Sequence, residues 1–309
     1  MNYNKDRYWA YFDEAWKNVI EKLFPHLLNF FIPDLYSDAD LSKGFVFLDK
    51  ELEKLSKKNK KGAKYVDKLA KVSLKNGNDQ WILIHIEVQG YSDNEFPERM
   101  FRYFYRIFDR YNEKIVSLAL ITGADKSLSK GRFEFKAYGS GVDFQYLSSR
   151  LVDYDRSELE QNNNPIALVI LASQEAELAK KKGKAFDIKR RLIRMMYERG
   201  YKRDDIIAIF EFIDWVIKLS DEEDDLIMDE IREIEEVNKM PYVTSAERIG
   251  MKKGSKDAIL DILDERFGNV PLEIINHINN IENDKKLKSL LRFAVRCNSI
   301  DEFRQSIIK

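Results

Sequence analysis

One cysteine, three histidines and no long apolar run bound what this 309-residue chain is built to do. Cys297 by itself leaves no internal disulfide, which fits a reducing compartment. Its setting, SLLRFAVRCNS, reads as a helix in which the thiol is a small core group. His26, His85 and His277 with one cysteine nearly exclude a zinc site. No stretch approaches the length of a membrane span, so no membrane partner is expected. The start, MNYNKDRYWAYFDE, has no basic segment followed by an apolar core, so no secretion signal is read and a cytoplasmic location is expected. Glycine (13) and proline (6) are scarce, which predicts much helix and few elaborate loops. A charge excess is missing too: 52 basic residues stand against 53 acidic ones. Nucleic-acid binders often carry a basic excess, so any grip on DNA must come from a local arrangement of cations.

What is present is a change of texture along the chain. Residues 7–32 have helical spacing at Tyr8, Phe12, Trp16, Ile20 and Leu23, with Pro25 able to open a second segment. GFVFLD at 44–49 reads as a short strand. YVDKLAKVSL at 65–74 alternates, Asn76-Gly77 is a hairpin turn signal, and WILIHIEVQG at 81–90 is the next strand. PERMFRYFYRIFDRY at 97–111 is a helix opened by proline. IVSLALIT at 115–122 is a continuous apolar run of the kind found in buried strands. Weaker strand signals follow near 132–138 and 142–148. From about 166 the pattern is helical to the end. The order predicts an α/β sandwich with the first three strands antiparallel, then an all-α region. Boundaries are expected after QNNNP at 161–165 and near 250, giving segments 1–165, 166–250 and 251–309.

The strand at 81–90 carries the chemistry. Ile82, Ile84, Ile86 and Val88 share one face, and Leu83, His85, Glu87 and Gln89 share the other. A face that is apolar at its start and polar at its end is expected to open onto something wet, charged or metallic. Asp67 lies on the neighbouring strand of the hairpin, where it and Glu87 can converge. Two carboxylates in one partly buried place repel unless a cation joins them, and all-oxygen ligation suits magnesium or manganese. On the helix at 97–111, Arg99, Arg102, Arg106 and Arg110 form a stripe with Tyr103 beside it. That stripe is either a solvated face or a grip on DNA phosphates.

YVDKLAKV followed by a turn and ILIHIEVQG resembles the core of the PD-(D/E)XK nucleases. More narrowly, the chain resembles the recombination-promoting nuclease (Rpn) and YhgA-like transposase group. FPERMFRYFYRIFDRY, VSLALITG, RRLIRMMYERGY, FEFIDWVIKL and KMPYVTSAERIG carry the resemblance over nearly the whole chain. ILDERFGNVPLEI is similar to a small helical module often appended to these proteins.

The resemblance implies a restriction-endonuclease-like core, a mixed sheet flanked by helices, that cuts DNA with Mg2+ or Mn2+. Asp67 and Glu87 then take the two acidic positions and bind the metal. Gln89 takes the place of the usual lysine, a departure that leaves the site one positive charge short. Lys71, on the face of Asp67, is the candidate to supply it, and Lys68 faces the other way. Glu14 or Asp13 is a candidate acid from the first helix. Arg99 and Tyr103 match the spacing of a Gln-x-x-x-Tyr pair in related nucleases, with arginine for glutamine. His85 and Tyr103 are expected to stand behind the ligands, and Arg99, Arg102 and Arg106 to meet DNA. The C-terminal helices are expected to mediate self-association or regulation. A DNA- or protein-binding module that does not cut is the competing reading, and the missing lysine favours it.

Overall fold

The structure, a computed structural model, describes residues 15–49, 66–75, 81–90, 93–123, 130–180, 183–281 and 283–308. Its contacts divide the chain into two units, residues 1–227 and 228–309.

The first unit is built on a five-stranded sheet of order β1-β2-β3-β4-β7, with β1 Phe45–Phe47, β2 Val66–Ser73, β3 Trp81–Gln89, β4 Lys114–Ile121 and β7 Leu147–Arg150. β1, β2 and β3 are antiparallel neighbours, while β3–β4 and β4–β7 are parallel. The parallel crossover from β3 to β4 is α4, Phe96–Tyr111. β5 Arg132–Ala137 and β6 Ser140–Gln145 form a separate hairpin. This is the mixed α/β sheet flanked by helices, followed by helices alone, that the sequence predicts. Asn76-Gly77 and its turn lie outside the described residues.

The two sheet faces are covered by different helices. One face presents Ala70 and Val72 of β2 with Ile82, Ile84 and Ile86 of β3, all buried. The helix at 15–22 (α1) and α2, Phe24–Phe31, lie on this side, and the short α3, Pro33–Asp38, follows α2 in the chain. The Phe24 ring meets Phe45 and Phe47 of β1, and Glu21 reaches Lys68. Lys68 is itself buried, with Nζ also 2.5 Å from Asp49 Oδ2. A lysine can stay charged there because two carboxylates replace its water. The other face packs on α4, where Leu69, Leu83, Tyr103 and Ile107 form one apolar cluster. Phe96, Met100, Ala119 and Ile121 form another with Phe144 and Tyr146.

The sequence sets 166–250 apart as a helical region. In the structure α6, Pro165–Ala179, belongs to the unit that holds the sheet. Residues 166–172 of this helix are all fully buried. A helix that is apolar on every side needs cover all round. It packs against α2, α5 (Arg156–Gln161), α7 (Ala185–Glu198) and α8 (Arg203–Val216). Asn164 caps it, accepting from the Ile166 N–H at 2.9 Å, and Pro165 fills the first turn.

The division between the units falls within α9, Asp221–Asn238, whose start is a reciprocal cap. Ser220 Oγ accepts from Glu223 N, and Glu223 Oε2 accepts from Ser220 N. In the second unit, α10 (Val243–Phe267), α11 (Leu272–Asn279), α12 (Asp284–Arg296) and α13 (Ile300–Ile308) enclose Ile259, Leu263, Ile274, Leu287 and Phe303. Cys297 is buried in the same core.

Glu235 of α9, almost fully buried, accepts from the backbone N–H of Val243 at 2.6 Å, Tyr242 at 2.9 Å and Thr244 at 3.2 Å. It thereby satisfies the free donors at the start of α10. Glu235→Ala is expected to lower the stability of this helical unit by about 2 kcal/mol, the scale of a charged cap with several donors. Urea unfolding followed by circular dichroism measures it; an unchanged midpoint would mean the cap is dispensable.

Candidate active site

Strand alternation brings Leu83, His85, Glu87 and Gln89 to the face covered by α4, as the pattern predicts. The polar end does not open to solvent, however. His85 and Glu87 are fully buried and Gln89 is 1% exposed. The reason is Arg99 of α4, itself buried, which supplies both the charge and the donors. Its Nε donates to Glu87 Oε1 at 2.7 Å and its Nη2 to Gln89 Oε1 at 2.9 Å. Its Nη1 donates to Asp93 Oδ2 in the loop before the helix. The Phe96 ring lies 5.1 Å from the guanidinium carbon. A planar fork with three occupied arms fixes the geometry of its acceptors.

Asp67 of β2 stands directly opposite Glu87 in the antiparallel register. Its backbone is described and its side chain lies outside the described residues, and Glu14 lies outside them altogether. Lys71 pairs with Leu83, two same-face positions from the Asp67–Glu87 pair. At strand rise that is about 13 Å from Glu87 along the strand. The apolar pair Leu69 and Leu83 packs under Tyr103 on this part of the face. The strand therefore sets Lys71 apart from Glu87, and the positive charge beside Glu87 comes from Arg99. The predicted arginine stripe separates as well: Arg99 is turned into the core rather than toward a phosphate backbone. Arg102 is exposed and pairs with Glu98 at 2.6 Å, and Arg106 is half-buried and lies over the Tyr105 ring.

His85 lies two residues before Glu87 on the same strand face, and Tyr103 packs on it from α4. Their rings are 5.1 Å apart. Neither ring nitrogen of His85 has a hydrogen-bond partner among the described residues. Ser117, opposite His85 in the β3–β4 register, also has an unpartnered buried hydroxyl, as does Tyr146. Burial, and then the charge of Glu87, pushes the Tyr146 hydroxyl up to about 12. Burial, and then the Arg99 charge, pushes the His85 pKa down from 6.5 to about 3. His85 is thus a neutral imidazole at ordinary pH.

This gives an acid sensitivity. Between pH 6.5 and about 3 the unfolded chain binds the proton and the folded chain does not, so stability falls as pH falls through that window. At pH 5 the contribution lost is about 2 kcal/mol. His85→Leu is expected to flatten the stability profile from pH 7 to pH 5, measured as unfolding midpoints in chelator. A slope equal to that of the wild type would assign the acid sensitivity to other groups.

The donor set suits a hard cation. Glu87, Gln89 Oε1 and Asp93 offer oxygen, and Asp67 is in register with Glu87. Among the described residues no group of three His, Cys, Asp or Glu side chains is spaced to hold a metal.

Residues 53–121 match the model of a family described as putative transposase, YhgA-like. This segment is similar to that family. It comprises β2, β3, α4 and β4, the elements that carry Asp67, Glu87, Gln89 and Arg99. The match supports a transposase- or recombination-type role and stops at Ile121, so it does not reach the C-terminal segment for which an appended module is expected. No curated protein and no solved structure matches the chain. Within the YhgA-like segment, Asp93 is a residue the sequence reading missed. It sits in YSDNEF, a plain helix-start signal, and nothing in the spacing ties it to Arg99.

Proposed function

We propose that this YhgA-like chain is a metal-dependent DNA endonuclease that serves a mobile element or a recombination event. The observation that carries the reading is the register of Asp67 against Glu87, with Gln89 two residues on and both Glu87 and Gln89 buried. Asp67 and Glu87 would hold Mg2+ or Mn2+, which when bound polarises a phosphodiester and activates water. Gln89 orients that water through an amide whose position is set by its bond to Arg99. Arg99 donates to the buried Glu87 carboxylate and offsets its charge in a dry environment. Arg102, exposed beyond the core, is available to phosphates.

A second reading is favoured by Arg99 itself. A guanidinium bound to Glu87 and Gln89 can stand permanently where a cation is needed, leaving a nuclease fold that binds DNA or a protein without cutting. Incubating the purified chain with supercoiled plasmid separates the two. Nicking or linearisation with magnesium, abolished by chelator, supports the nuclease. Intact plasmid with every divalent cation tried, together with DNA retention on a gel, supports the binding module.

A further inference from the structure

Three buried polar side chains that have no hydrogen-bond partner among the described residues stand together: His85 at both ring nitrogens, Ser117 at Oγ and Tyr146 at its hydroxyl. His85 is 0% exposed, Ser117 5% and Tyr146 8%. The strand register puts them in one row. Ser117 is the partner of His85 between β3 and β4, and Leu147 is the partner of Leu118 between β4 and β7. Tyr146, one residue before Leu147, falls level with Ser117. Alternation puts Ser117 on the face of Ala119 and Ile121, which pack with Phe96, Met100 and Tyr146. The row therefore runs from β3 across β4 to the start of β7, on the face that carries Glu87.

Glu87 and Arg99 adjoin this row. The Phe96 ring meets both Tyr146 and the Arg99 guanidinium. Both charges of the pair act on the Tyr146 hydroxyl, and that of Arg99 acts on His85. Glu87 and Arg99 already offset each other through Oε1 and Nε, so the row calls for no further ion. What it offers is neutral: an imidazole with one donor and one acceptor nitrogen, and two hydroxyls that each donate and accept. The middle strand contributes only short side chains here, Ser117 beside His85 and Ala119 beside Glu87. Buried polar groups in folded proteins are almost always paired, and where no protein atom is in reach an ordered water does it. Water is the small neutral ligand that satisfies several such groups at once.

We propose that His85, Ser117 and Tyr146 form an internal site for ordered water beside the Glu87 carboxylate. The polar end of β3 is then wet from within, although α4 covers it from outside. The site goes beyond the nuclease reading and does not rest on it. In a nuclease it keeps water next to the acidic residue before a substrate arrives.

Melting temperatures of the wild type, Ser117→Ala, Tyr146→Phe and the double variant, in chelator, test it. Trp9, Trp16, Trp81 and Trp215 all belong to the first unit, so tryptophan fluorescence reports the unit that holds the row. A shared water makes each hydroxyl stabilising. Each single variant is expected to melt about 3 °C lower, and the double variant to lose less than the sum of the two. Dry hydroxyls predict the opposite, because deleting them relieves a cost. Unchanged or raised melting temperatures in both single variants, or strictly additive losses, overturn the proposal. A crystal structure of the wild-type chain is the second arm. Ordered water bonded to at least two of the three side chains is expected. A direct bond among the three in place of water, or an ion in the row, overturns the proposal. Plasmid cleavage run in parallel keeps the two readings apart. A chain that never cuts but shows the coupled losses sinks the nuclease and leaves the water site standing. A chain that cuts, with both single variants as stable as the wild type, does the reverse.

Discussion

Arg99→Ala is expected to cost about 3–5 kcal/mol of stability, the penalty for leaving a buried charge without its partner. Glu87 is fully buried and its Oε1 is bound by Arg99 Nε, so removing the guanidinium strands a carboxylate in the core. Gln89 and Asp93 lose a donor in the same step. The double variant Arg99→Met/Glu87→Gln removes both charges at once, and should recover most of the loss. Urea midpoints for the wild type, both single variants and the double variant measure the coupling. Additive effects would show that the pair is not a unit. Magnesium supplies a second readout. If a divalent cation can take over the neutralising role of the guanidinium, it raises the melting temperature of Arg99→Ala more than that of the wild type. Equal shifts would argue against a metal at Glu87.

Glu87→Gln and Asp67→Asn should each reduce magnesium-dependent plasmid cleavage by at least about a hundredfold, because each removes half of the charge that holds the cation. Glu87→Gln is nearly isosteric and its amide oxygen can still accept from Arg99, so the fold is expected to survive. Unfolding midpoints run beside the cleavage assay separate lost chemistry from lost structure. Gln89→Lys introduces the lysine that the resemblance to PD-(D/E)XK nucleases implies, but it places an ammonium beside the buried Arg99. That like-charge contact should destabilise the protein and fail to raise activity. Cleavage that persists in both acid variants would remove the two carboxylates from the mechanism.

The sheet was legible because its signals are local. Alternation in β2 and β3 separated Lys68 from Asp67, the hairpin signal put Asp67 and Glu87 on neighbouring strands, and the apolar run IVSLALI marked β4 as buried. The fate of the polar strand end was not legible. Strand periodicity says which face Glu87 occupies, but not what covers it. Arg99 looked like one member of an exposed stripe because helical spacing sets angle and not burial. Its partners Glu87, Gln89 and Asp93 come from two other segments of the chain. Lys71 shares the face of Asp67 but lies four positions further along β2, a separation that face-sharing does not report. The grouping of α6 with the sheet was hidden in the same way, since an apolar helix does not state which neighbour will cover it.

β3 has a hydrogen-bonded neighbour on each side, β2 and β4. Such a strand cannot swing outward without breaking two ladders, so Glu87 and Gln89 share the rigidity of the deepest part of the fold. On the face that carries them, α4 lies over both, with its Arg99 bound to each. If the site turns over, its pace is then set by how often that helix lifts its arginine away, and binding energy spent on the outer part of α4 becomes the force that opens the door.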